Sequence, residues 1–195
     1  MNFNKILILG STYLTQLIVN KLQQSKYELV GYVESSRAAV SGNINLPIVD
    51  LDVEYDIALS LQYDKLIENP RNIFNLHTGL LPEYGGLDIL RNTLKNNDCE
   101  QGMTFHKMGT EYDHGPIISK ITYPVFENDT IHNLYIRQCS IAPNFIMSCL
   151  KLLEAMSEEE IDMCFLSKPK LYKRKYDASP IKLSKEDICF LESKV

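Results

Sequence analysis

Residues 5–10 read Lys-Ile-Leu-Ile-Leu-Gly. The run is apolar without alternation, contains β-branched residues and closes on glycine. A strand with one wet face would alternate polar and apolar positions. A continuous run signals burial on both faces, as in a parallel sheet. Ser11 or Thr12 stands where a helix cap is needed, and Leu14, Leu17, Ile18 and Leu22 share one helical face. Strand, tight turn and helix together open a parallel α/β fold.

The same grammar recurs downstream. Residues 28–34 (ELVGYVE), 55–61 (YDIALSL) and 72–77 (NIFNLH) read as three further strands. Strands separated by long crossovers imply a Rossmann-like, mostly parallel twisted sheet with helices on both faces. After Pro82, residues 83–86 (EYGG) form a turn. Residues 87–97 place Leu87, Leu90, Arg91 and Leu94 at helical spacing. Residues 102–108 alternate as a strand, and 116–125 (PIISKITYPV) form another. The short link GTEYDHG between them makes the two antiparallel neighbours. Asp129 or Thr130 caps a long helix whose apolar face runs through Leu134, Ile141, Phe145, Cys149 and Leu152, with a kink expected at Pro143. Residues 1–156 are thus expected to form one domain, with the more polar residues 157–195 as an extension on or beside it.

Composition bounds the function. The chain has 195 residues and a net charge of −5, with 45% hydrophobic and 23% charged residues. A fold of this size buries roughly 70% of its unfolded surface and needs no metal or disulfide staple. The acidic balance argues against a nucleic-acid partner. Lys168, Lys170, Lys173, Arg174 and Lys175 make one basic patch, which reads first as a solvated tail. Five cysteines without CxxC spacing argue against zinc and disulfides and suit a reducing cytosol. The apolar run at the N-terminus is too short for a signal peptide or a membrane span. A soluble, cytoplasmic protein is the expectation. The apolar content of the tail (Met163, Phe165, Leu166) would suit a modest homodimer contact.

Three places offer chemistry. The turn after the first strand, Gly10-Ser11, has one glycine where a dinucleotide fingerprint needs three, so bound NAD is not expected. Asn75 and His77 lie two apart on a strand and therefore share a face, while Leu76 points the other way. An amide donor beside an imidazole suits an oxygen that gains negative charge; the plainer reading is a satisfied polar pair at a strand end. Asp113, in the turn YDHGP, is an ordinary turn residue or a carboxylate that orients an imidazole. His106 shares a strand face with Thr104 and reads as structural. His114 and His132 read as facing solvent.

Taken together, N-L-H-T-G-L-L-P (75–82), Y-G-G (84–86), G-M-T-F-H (102–106) and D-H-G-P-I-I (113–118) resemble the formyltransferases that use 10-formyltetrahydrofolate. That family's signature is N-x-H-x-S-L-L-P, Y-R-G, G-x-T-x-H and D-x-G-x-I-I, in this order and spacing. The resemblance spans roughly residues 4–155, and L-Y-K-R-K-Y (171–176) is similar to a segment of the sugar formyltransferases. It implies catalytic roles for Asn75, His77 and Asp113 and formyl transfer from the folate co-substrate to a primary amine. It places the folate along Leu61, Gln62 and Tyr63 and against the loop from Gly109 through Tyr112 to Asp113. No metal is implied. Two positions depart from the pattern: Gly79 stands for the serine and Gly85 for the arginine of Y-R-G.

Three acceptors compete. Enzymes acting on initiator tRNA carry a further basic domain, for which residues 157–195 and a net charge of −5 leave little room. Purine-synthesis enzymes hold a substrate phosphate on a glycine-rich first loop; here that loop is G-S-T-Y-L. The aromatic and basic tail (Tyr172, Lys173, Arg174, Tyr176) favours a nucleotide-linked amino sugar. A non-catalytic relative that binds folate or a nucleotide sugar is the alternative of a different class.

Overall fold

The structure, a computed structural model, describes residues 1–36, 40–173 and 181–195. Arg174, Lys175 and Tyr176 of the expected basic and aromatic tail lie outside the described residues. In chain order the elements are β1 (Lys5–Leu9), α1 (Tyr13–Leu22), β2 (Glu28–Val33), β3 (Ile57–Leu61), β4 (Ile73–His77), β5 (Gly85–Gly86) and α2 (Ile89–Asn96). Then come β6 (Glu100–Lys107), β7 (Gly115–Pro124), α3 (Ile131–Ala155), α4 (Glu158–Asp162), β8 (Leu166–Ser167), β9 (Leu171–Tyr172) and α5 (Lys185–Glu192).

The main sheet has the order β2-β1-β3-β4-β6-β7-β8. β2, β1, β3 and β4 run parallel, whereas β6, β7 and β8 are added antiparallel. β4 is therefore the seam: parallel to β3 on one edge, antiparallel to β6 on the other. The apolar run that opens the chain is buried as its composition requires, with Ile6, Leu7, Ile8 and Leu9 inaccessible to solvent. Each such side chain contributes about 1.5–3 kcal/mol by leaving water. Thr12, rather than Ser11, caps α1 by accepting from Thr15 N at 3.2 Å. Thr130 caps α3 in the same way, and α3 continues across Pro143.

One face of the sheet is covered by α1 and α3, through Leu14, Leu17, Ile18, Leu22, Phe145, Ile146 and Leu150. Phe74 of β4 and Phe105 of β6 stack at 5.7 Å within this layer. On the other face Leu7, Leu9, Ala58 and Ile73 are packed by Val49, Leu51, Val53, Tyr55, Tyr63 and Ile67. Described residues 40–56 form no helix there, because Gly42, Pro47 and a scatter of polar positions leave no helical apolar stripe. The extension returns to the body: Ile161 and Leu191 are buried in the main core. A short second sheet joins β5 to β9, so the tail straps the loop that follows Pro82.

Candidate functional site

Asn75 and His77 sit on β4 and share the face opposite Leu76, whose side chain is in the core. Antiparallel pairing sets His106 across from Asn75 and Thr104 across from His77. The hairpin turn between β6 and β7 then folds back along that face. It brings Asp113 Oδ1 to 3.1 Å from His77 Nδ1. Asp113 reaches this place with φ +54°, a left-handed conformation that aspartate tolerates better than most residues.

The two ring nitrogens of His77 have different partners. Nδ1 donates to the Asp113 carboxylate, and Nε2 donates to the Tyr84 carbonyl oxygen at 2.6 Å. Both partners can only accept, so the ring carries both protons and a positive charge. Burial alone would push this imidazole down. The charge of Asp113 and the hydrogen bonds to Asp113 and to Tyr84 outweigh burial and raise it. Burial would likewise push Asp113 up, but His77 and the amide of Gly86, which donates to Oδ2 at 2.6 Å, hold it below the usual carboxylate range.

His106 is the opposite case. Its Nδ1 donates to the Lys107 carbonyl at 3.0 Å, which leaves Nε2 bare. Asn75 Nδ2 lies 3.0 Å from that nitrogen and donates to it. Burial, helped by the positive His77, pushes His106 down to about 4. The contact fixes the Asn75 amide, with its nitrogen toward His106. One face thus carries a charged imidazole, its carboxylate and an amide of defined orientation. Such a set can stabilise an oxygen that becomes negative and can move a proton.

The strand end is held by other elements. Gln138 Nε2 donates to Thr78 O at 2.9 Å, and Thr104 Oγ1 donates to Gly79 O at 2.8 Å. Leu80 N donates to Gln101 Oε1, Leu81 N to Thr104 Oγ1, and Lys120 Nζ to Leu81 O. Thr104 therefore matters as the anchor of the 78–82 loop. In the sequence it showed only as the threonine of G-M-T-F-H, on one strand face with His106; its place across from His77 comes from the register.

The expected folate residues flank this face. Leu61 ends β3 beside Leu76 in register, is fully buried, and accepts from Thr15 Oγ1 at 3.0 Å. Gln62 follows at φ +58°, and Tyr63 is half-buried on the second face of the sheet. Asp64 is held by Ser35 Oγ at 2.8 Å and Ser36 Oγ at 2.6 Å. In the hairpin turn Gly109 N donates to His114 O at 2.7 Å, where a Cβ would press on that carbonyl, and Tyr112 is exposed. At the first loop, Tyr13 N donates to Val40 O at 2.7 Å, so a carbonyl covers the N-terminus of α1. His132 pairs with Asp187 at 3.2 Å, away from this set. Among the described residues no three His, Cys, Asp or Glu side chains gather as a metal-holding group. No helix among them is long and apolar enough to cross a membrane.

Residues 58–150 match the family model described as Formyl transferase. Methionyl-tRNA formyltransferase of Borreliella burgdorferi is 27% identical over 106 residues, 51% of this chain and 34% of that protein. The bifunctional polymyxin resistance protein ArnA of Wigglesworthia glossinidia brevipalpis is 33% identical over 113 residues, 55% of this chain and 17% of that protein. The matched region thus spans 34% and 17% of these relatives. Among solved structures, the N-formyltransferase from Helicobacter canadensis, in complex with folinic acid and dTDP-3-aminofucose, superposes with a TM-score of 0.70 at 19% identity, covering 94% of this chain and 72% of that one. Glycinamide ribonucleotide transformylase 1 of Symbiobacterium toebii gives 0.66 at 21% identity, covering 78% and 88%. At these identities the likeness concerns the fold.

Proposed function

We propose that this chain, a member of the formyl transferase family through its residues 58–150, moves a formyl group from 10-formyltetrahydrofolate to the primary amine of a nucleotide-linked amino sugar. The observation that carries the reading is the charged His77–Asp113 pair beside an oriented Asn75 on one sheet face. The amine attacks the formyl carbon and the carbonyl oxygen gains negative charge. His77 Nε2 and the remaining Asn75 N–H would donate to that oxygen. Asp113 keeps His77 charged and, through water, would help pass the proton that the amine loses to the folate N10, whose bond to the formyl carbon breaks as the oxyanion collapses to the new formamide. Leu61, Gln62 and Tyr63, with the turn from Gly109 to Tyr112, would form the folate side.

Two observations favour the sugar over the purine intermediate. The N-terminus of α1, where a substrate phosphate would otherwise find free N–H groups, is covered by the Val40 carbonyl. The tail also returns to the site and lays Tyr172 on Tyr84, with ring centroids 5.3 Å apart. The ligands of the Helicobacter canadensis relative, a folate and a nucleotide-linked aminofucose, fit the same reading. A cytoplasmic setting would supply both substrates. The test is incubation with 10-formyltetrahydrofolate and, in separate arms, a panel of nucleotide amino sugars or glycinamide ribonucleotide, with the product followed by mass. A gain of one formyl group on a sugar supports the reading. Formylation of glycinamide ribonucleotide alone would replace it, and binding without product would mean a non-catalytic relative.

A further inference from the structure

The loop that follows Pro82 touches both members of the ion pair. Tyr84 gives its carbonyl to His77 Nε2 at 2.6 Å, and Gly86 gives its amide to Asp113 Oδ2 at 2.6 Å. These are the two atoms of the pair left over after His77 and Asp113 have bonded to each other. A carbonyl oxygen on His77 Nε2 occupies the position that the oxygen of a tetrahedral intermediate requires.

Three glycines make this approach possible. A Cβ on Gly79 would lie 2.6 Å from Tyr84 O and 2.9 Å from His77 Nε2, inside any real contact distance. A Cβ on Gly85 would lie 2.7 Å from the Pro169 side chain, and one on Gly86 would strike the backbone of Tyr172. Two of the three, Gly79 and Gly85, are the positions where the chain departs from the pattern it resembles. The strap holds the loop from outside: Lys170 N donates to Pro82 O at 2.9 Å, Gly85 N donates to Lys170 O at 3.1 Å, and Leu87 N donates to Tyr172 O at 2.9 Å. Tyr172 stacks on Tyr84, whose hydroxyl is bonded to Asp98 and Asn96.

We propose that the loop 82–88, clamped by the strap 168–173, is a built-in cover that caps the reacting atoms of His77 and Asp113, and that it must withdraw before formyl transfer can occur. The loop and strap then act as one gate, and the Tyr84–Tyr172 stack is its latch. The latch is aromatic, so an acceptor that carries a nucleobase competes for the same ring face and opens the gate as it binds. The need to withdraw rests on the formyl-transfer reading above and the opening by a nucleobase on its nucleotide-sugar part; the cover itself rests on neither.

The experiment uses the full chain labelled with 15N-histidine and no substrate. Long-range proton–nitrogen spectra identify the doubly protonated His77 and the singly protonated His106, and the exchange rate of the His77 Nε2 proton is measured. In Tyr172→Ala, which removes the latch, and in Gly85→Ala, which wedges the strap, exchange should rise at least tenfold while the His106 signals stay in place. Exchange within twofold of the parent in both variants, with His106 unchanged, would overturn the proposal. So would a neutral His77 in the parent. A chain that gates His77 in this way yet forms no formylated sugar would keep the cover and lose the proposed function; a chain that forms product without gating would do the reverse.

Discussion

His106 should make the protein sensitive to mild acid. It is buried, bonded on both ring nitrogens in its neutral form, and titrates at about 4. In the unfolded chain an imidazole titrates near ~6.5. Below that value the unfolded chain takes up a proton that the folded chain refuses, so stability falls as pH falls toward about 4. Between pH 7 and pH 5 the difference amounts to about 2 kcal/mol. Over 195 residues, an unfolding entropy of about 2.1 cal/mol/K per residue turns this into a loss of roughly 5 °C in Tm. His106→Gln retains an acceptor for Asn75 but does not titrate. Urea unfolding of parent and variant at pH 7 and pH 5 isolates the effect, because carboxylates and His77 are common to both. The parent should lose about 2 kcal/mol more than the variant on acidification. Equal losses, within about 0.5 kcal/mol, would refute a buried neutral imidazole.

Asp113→Asn should lower formyl transfer by about 10²- to 10³-fold, since His77 then loses its charge partner and the oxyanion loses a charged donor; steady-state assay with circular dichroism as the fold control checks it. The same pair should stabilise the fold within a pH window. The His77 part, from a raised imidazole, is present below ~6.5 and lost as pH rises through its folded value, and the Asp113 part, from a lowered carboxyl, is present above ~3.9 and lost as pH falls through its folded value. The variant should therefore lose most stability relative to the parent between those limits, as thermal melts across pH would show. Phe105→Ala should cost about 3–5 kcal/mol by opening a cavity beside Phe74 in a fully buried layer. Thr12→Ala removes the α1 cap and should cost about 1 kcal/mol; a chemical denaturation midpoint suffices for both.

The strands were legible because burial on both faces writes itself as an unbroken apolar run, as in KILIL. The shared face of Asn75 and His77 was legible because strand geometry has a period of two. His106 was underread for a different reason. A histidine that serves as an acceptor looks, in sequence, like any core histidine, and its partner on β4 is set by register across the seam. The cover over His77 left a faint trace, since Gly79 and Gly85 stood out as departures. What they admit is a carbonyl and a strap from distant segments, and local sequence carries no record of that. The short helices α4 and α5 were also missed, because Ser157 and Ser184 cap them through capping boxes inside a stretch too polar to show a stripe.

The 78–82 loop is gripped almost entirely by its own backbone, through Gln138, Thr104, Gln101 and Lys120 of other elements. A path specified in that way asks little of the side chains that travel along it, beyond the room they need. Position 79 is the exception, since a Cβ there would press on Tyr84 O and His77 Nε2, and glycine keeps the course intact. The burden of invariance passes to residues some twenty to sixty positions away. An amide on a helix and a hydroxyl on a neighbouring strand thereby become the guardians of a loop to which neither belongs.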